Sequence, residues 1–219
     1  QINPEITLGI NTNGGLRNTA WWTEIGMLFS KPMDYVVFSI DGLEDTNHLY
    51  RKNVDWNRVI DNVKAYTATG ASAHWDMLVF DHNKHQIAEA ESLARDLGFN
   101  WFRCKVSKRF QYNPVDGLDP PAGIALPNVQ DPDSISCHAL NENSLYLAST
   151  GELLPCCWIG NRIFNRDIQI DAALQTPNFQ GVVKSWSIDP LPVCKRHCGV
   201  CKNSKTSFDR QWFREIQIK

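Results

Sequence analysis

Apolar and polar positions in the first half of the chain alternate between two rhythms. Ile6-Thr7-Leu8-Gly9-Ile10-Asn11 has the period of a strand and runs into the turn Thr12-Asn13-Gly14-Gly15. Asn18 is placed to cap a helix whose apolar positions are Trp21, Trp22, Ile25 and Leu28. Tyr35-Val36-Val37-Phe38-Ser39-Ile40 is almost continuously apolar, the pattern of a strand covered on both faces of a parallel sheet. Asp55 is a cap for the next helix, where Trp56, Val59, Ile60, Val63 and Tyr66 recur at helical spacing until Gly70. Ala73–Phe80 is a third strand. A helix predicted from Asn83 follows, with Ile87, Ala90, Ala94 and Leu97 on one face and Gly98 as its stop. Phe99–Cys104 opens a fourth strand. Strand and helix succeeding each other at intervals of roughly 25–40 residues predict βαβ units and a parallel sheet. Ligands of such sheets sit at the carboxyl ends of the strands. That singles out Thr12-Asn13-Gly14, Ser39-Ile40-Asp41-Gly42, Phe80-Asp81-His82 and the end of the fourth strand.

The rhythm then breaks. Residues 113–135 hold five of the eleven prolines and read as a linker, which divides the chain into 1–112, 113–135 and 136–219. In the last region, Ser144–Ala148 and Leu153–Cys156 flank Ser149-Thr150-Gly151-Glu152 as a β-hairpin. Eight Trp, ten Phe and five Tyr exclude a disordered chain. No apolar run reaches the length of a membrane span, and Gln1–Glu5 has no signal-peptide pattern. The formal charge of −2 gives no overall attraction to nucleic acid or anionic lipid. Locally the charge is uneven: from Lys184 to Lys219 eight basic residues face three acidic ones, a solvated face or a surface for an acidic partner.

Seven Cys are present; Cys104 stands alone and six fall between Cys137 and Cys201. An odd number in this setting points to metal ligands or reactive thiols in a reducing compartment such as the cytoplasm. Cys137, Cys156 and the run Cys194-x3-Cys198-x2-Cys201 can assemble four thiolates, a set that suits zinc or an iron–sulfur cluster. Cys104 on a strand reads as a small core residue, and Cys157 is expected to point away from its neighbour Cys156.

The arrangement Cys137-x13-Gly151-x4-Cys156 resembles the opening of the auxiliary-cluster domains, SPASM and its shorter form twitch, that follow the barrel of radical S-adenosylmethionine (SAM) enzymes. Thr12-Asn13-Gly14 and Ser39-Ile40-Asp41-Gly42 with His48-x-Tyr50-Arg51 resemble the third and fourth strands of that barrel. The resemblance implies an α/β fold: the last four strands of a TIM-like (β/α) barrel, followed by a small hairpin-and-helix domain holding one [4Fe–4S] cluster. It implies that Asn13, Ser39 and Asp41 bind S-adenosylmethionine, with Arg58 pairing with the methionyl carboxylate. The cluster ligands would be Cys137, Cys156 and two of Cys194, Cys198 and Cys201, the latter two preferred. The implied reaction is cleavage of S-adenosylmethionine to a 5′-deoxyadenosyl radical that takes hydrogen from a peptide or small-molecule substrate. The electron would come from a donor such as flavodoxin or ferredoxin. No Cys precedes Cys104, so the family's Cys-x3-Cys-x2-Cys loop has no counterpart before it. The two missing βα units are expected upstream or on a separate fragment. The alternatives are a zinc-stapled binding module that meets an acidic partner, and a family member degenerate in catalysis. His82 and His85 are expected to do no more than line a pocket.

Overall fold

The computed structural model describes residues 5–111, 117–124, 134–151, 153–154, 156–159, 177–200 and 211–219. In chain order the elements are β1 (Gly9–Thr12), α1 (Thr19–Leu28), β2 (Tyr35–Ser39), α2 (Asn47–Tyr50), α3 (Trp56–Thr67), β3 (Ser72–Val79), α4 (Ile87–Asp96) and β4 (Trp101–Val106). There follow β5 (Ser134–Ile135), α5 (His138–Asn141), β6 (Tyr146–Leu147), β7 (Leu153–Leu154), α6 (Pro177–Ser185), α7 (Pro192–Cys198), β8 (Gly199–Val200) and β9 (Arg214–Gln217). They form two units: Gln1–Pro127 with Trp212–Lys219, and Asn128–Gln211.

In the first unit, β1, β2, β3 and β4 lie side by side in sequence order, all parallel and each joined to the next through helix. The helices begin where the sequence predicts. Asn18 Oδ1 accepts the Trp21 N–H at 3.0 Å, and Asp55 Oδ1 accepts the Arg58 N–H at 2.9 Å. Strict alternation along β3 and β4 sends Trp75, Met77, Val79, Phe102 and Cys104 into a core built with Trp22, Val59, Val63, Tyr66, Ala90 and Ala94 from the helices. The opposite face carries His74, Asp76, Trp101, Arg103 and Lys105, all partly exposed. β2 is buried on consecutive residues, Val36, Val37 and Phe38, as its apolar run predicts.

Three expectations shift. The first strand begins at Gly9 rather than Ile6, because it takes one edge of the sheet and pairs with β2 only from Gly9↔Tyr35; Ile6 and Leu8 remain exposed. Asn83 does not cap a helix: a 3-10 turn (Lys84–Gln86) leads into α4, and the Asn83 side chain is used elsewhere. The last eight residues, predicted to belong to the C-terminal region, return to the first unit. There β9 runs antiparallel to β4, Arg103 opposite Glu215 and Cys104 opposite Arg214, and Arg214 pairs with Glu91 of α4. The basic stretch 184–219 is therefore divided: Lys195 pairs with Asp189 at 3.0 Å in the second unit, and Lys219 Nζ donates to Gly98 O at 2.9 Å in the first.

The second unit has two short antiparallel pairs, β5 with β8 and β6 with β7. The latter is the predicted hairpin. Its turn holds Gly151 at φ +84°, a conformation that glycine adopts without strain, with the Gly151 N–H bonded to Ala148 O at 2.9 Å. Among the described residues, no helix is long and apolar enough to cross a membrane.

Candidate functional site

In the second unit, separate elements deliver four thiols to one place. Cys137 stands immediately before α5, and Cys156 follows the hairpin. Cys194 and Cys198, four residues apart on α7, share a helix face. The β5–β8 pair and the Ser136 N–H bond to Cys198 O at 2.8 Å draw the start of α5 against the end of α7. All four cysteines line one cleft, walled by Trp158, Ile159, Phe179, Trp186, Val193 and His197.

Their electrostatics are those of thiols within reach of one another. The hydrogen bond with Cys198, helped by the Leu140 and Ala139 N–H groups, draws the Cys137 thiol down to about 6. The same bond, with burial, pushes Cys198 up. Burial raises Cys156 and Cys194, partly offset at Cys156 by the N–H groups of Trp158 and Ile159; the negative charge of Cys137 raises both further. Backbone N–H groups aimed at sulfur favour a bound thiolate. Among the described residues, no three His, Cys, Asp or Glu side chains converge as ligands of a single ion. Cys201 lies outside the described residues, while Cys194, the less favoured of the three C-terminal thiols on sequence, lies in the cleft. Cys157 is exposed. Cys104 is fully buried in the first unit's core, its thiol pushed up to about 12 by burial.

The first unit presents its chemistry at the strand ends. After β1, Asn13 Oδ1 accepts the Gly15 N–H and Thr12 Oγ1 accepts the Gly14 N–H, both at 3.0 Å, so this turn is shaped by its own side chains. The buried Asn62 of α3 braces it, donating to Gly14 O at 2.8 Å. Ser39 ends β2, half-buried. Asp41 is completely buried; its carboxylate accepts from Leu78 N–H at 2.6 Å and from Arg51 Nε at 2.5 Å. Burial raises its carboxyl against the pull of Arg51 and of the Leu78 N–H. Asn83 donates to Asp41 O and Leu78 O and accepts from Phe80 N–H, tying the β2 loop to the end of β3. Arg58 is on the first turn of α3, exposed. His82 is half-buried and stacks on Phe80 at 5.3 Å, and burial lowers its pKa; His85 is exposed.

Sequence reasoning gave no role to several residues that this face brings together. Arg103 Nε and Nη2 both donate to Asp76 Oδ1 at 2.7 Å. Arg103 and Lys105 both lie over the Trp212 ring, at 4.6 and 4.4 Å. Tyr50 carries Arg51 over its ring at 5.2 Å and accepts from Arg109 at 3.2 Å through its hydroxyl. The signal available was the polar member of each alternating pair in β3 and β4. Trp212 gave none, because its strand comes from the far end of the chain.

No protein-family profile and no curated protein matches the chain. Solved structures do. SuiB of Streptococcus suis matches with a TM-score of 0.51 at 16% identity, over 83% of this chain and 52% of that one. Native anSMEcpe with bound AdoMet and the Cp18Cys peptide matches with a TM-score of 0.55 at 12% identity, over 93% and 70%. SuiB has also been solved bound to S-adenosylmethionine, and in that form matches with a TM-score of 0.50. The likeness is one of fold, and the chain spans about half the length of SuiB.

Proposed function

We propose that this chain is the S-adenosylmethionine- and substrate-binding part of a radical SAM enzyme, with one auxiliary [4Fe–4S] cluster in its second unit and a peptide as substrate. The observation that carries the proposal is the meeting of Cys137, Cys156, Cys194 and Cys198 in one apolar-walled cleft. Support comes from the fold neighbours, radical SAM enzymes whose structures contain S-adenosylmethionine or a peptide. With four cysteine ligands, the cluster would have no open iron and would supply electron transfer.

The remaining work falls to residues of the first unit. Asn13 and Ser39 are assigned to S-adenosylmethionine, with Asp41 holding the loop and Arg51 in place beneath it. Arg58 is assigned to the methionyl carboxylate; its exposure keeps the guanidinium available. The radical-generating cleavage belongs to the complete enzyme, fed by a flavodoxin- or ferredoxin-like donor. The exposed β1 edge is the place for the further βα units, whether on the same polypeptide or a partner fragment.

Metal analysis after anaerobic preparation tests the proposal: about four iron and four sulfide per chain are expected. Cys137→Ala and Cys194→Ala should each lower that content. One zinc per chain, or unchanged iron in both variants, overturns it and leaves the zinc-stapled module. Calorimetry with S-adenosylmethionine separates Arg58 from the site if Arg58→Ala binds as the parent does.

A further inference from the structure

The four sulfurs of the cleft do not share the same surroundings. Cys137 is met by the N–H groups of Leu140 and Ala139, Cys156 by those of Trp158 and Ile159, and Cys198 by that of His138. Cys194 sits inside α7, where the next N–H in the chain, that of Lys195, is taken by Leu191 O at 3.0 Å. Among the described residues, the group that favours its thiolate is instead a side chain, the Trp186 indole N–H. Trp186 Nε1 is buried and has no completed hydrogen bond among the described residues. An indole N–H so placed calls for an acceptor, and a neutral thiol is a weak one. A metal-bound thiolate carries charge and is a stronger one.

Local structure holds the ring there. Trp186 follows directly on α6, its own backbone N–H bonded to Val183 O at 3.2 Å. Its side chain packs against two apolar clusters of the second unit, one built on Cys137 and Phe179, the other on Ile159, Val182 and Cys194. The exposed Asp189–Lys195 pair, at 3.0 Å, joins the turn after Trp186 to the residue after Cys194. Resting on the proposed four-cysteine cluster, we propose that Trp186 is a positioning residue for it. The indole N–H donates to the Cys194 sulfur and tunes the potential at which the cluster takes up an electron. That electron, from the proposed flavodoxin- or ferredoxin-like donor, adds negative charge at the sulfurs, and no bond is made or broken. An N–H donor stabilises the more negative state, so Trp186 raises the potential.

The test is a redox titration, followed spectroscopically, of the anaerobically reconstituted chain and of Trp186→Phe, which keeps a ring and loses the donor. At a fixed potential the ratio of reduced to oxidised cluster should fall about tenfold in the variant, a midpoint lower by about 59 mV for one electron. Iron and sulfide content should stay as in the parent. Trp158→Phe removes the other indole of the cleft and should move the midpoint far less. A second measurement covers the case in which Trp186→Phe loses the cluster. In the reduced parent chain, isotopically labelled at the tryptophan indole nitrogen, pulsed paramagnetic resonance should show coupling to that nitrogen and to an exchangeable proton, both retained in Trp158→Phe. An unchanged midpoint in Trp186→Phe, even with lowered stability, assigns the ring to packing and overturns the inference. Absence of the nitrogen coupling, an equal shift in Trp158→Phe, or full iron content in Cys194→Ala overturns it as well. These outcomes leave the cluster reading standing. A parent chain that takes up zinc and no iron overturns both.

Discussion

Gly42 sits at φ +132° in the loop after β2, and a Cβ there would meet Thr46 Oγ1. That hydroxyl is engaged with Gln86, and the Leu43 N–H bonds both of these side chains. Gly42→Ala therefore combines a disfavoured backbone with a collision in a buried network, and should cost about 1–3 kcal/mol in urea unfolding. Asp41 shows how far residue-level inference reaches. The sequence placed a carboxylate at a strand end, and the structure places it there, fully buried. Its two hydrogen-bond partners, Leu78 N–H and Arg51, come from β3 and from beyond α2, so neither was visible in the run Ser39–Gly42. The carboxylate thereby ties Arg51 and the loop after β2 to the end of β3.

At the scale of elements, the polar face of the sheet contains a histidine that reports on folding. His74 stacks flat on Tyr35 at 5.1 Å, and burial, with Arg103 nearby, lowers its pKa to about 4. The unfolded chain binds this proton near pH 6.5 and the folded chain only near 4. Its contribution is complete above about pH 6.5 and is lost as the pH falls toward 4, amounting to about 1–3 kcal/mol with solvent screening allowed for. His74→Phe should flatten that part of the stability-versus-pH curve; an unchanged slope would exclude His74 as its source. β9 is the second element with a measurable consequence. It covers the edge of β4 and places Arg214 on Glu91. Deleting residues 212–219 should expose that edge, lower the midpoint of unfolding and increase aggregation in light scattering. Helical and strand periodicity identified β1–β4, α1 and α3 because those elements bury a regular stripe or face. β9 escaped because four residues, Arg214–Gln217, with one apolar member, become a strand only when β4 offers its edge.

For the whole molecule, two units mean that metal should matter unequally. If the four cysteines hold a cluster, chelation should remove exchange protection from amides of residues 134–147 and 192–200 while those in β2, β3 and β4 stay protected. Hydrogen exchange measured before and after chelation checks this, and a uniform loss across both units would contradict it.

The sequence by itself determined the order of strands and helices, the parallel sheet they imply and the identity of the clustered thiols. Those properties depend on periodicity and spacing over a few dozen residues. Only the tertiary structure decided that Cys194 joins Cys137, Cys156 and Cys198, that Arg51 holds Asp41, and that Trp212 returns to meet Arg103 and Lys105. Each of these contacts joins elements separated by a turn, a helix or half the chain. Their pairing is set by which buried faces and strand edges fit together, and no local pattern records that fit.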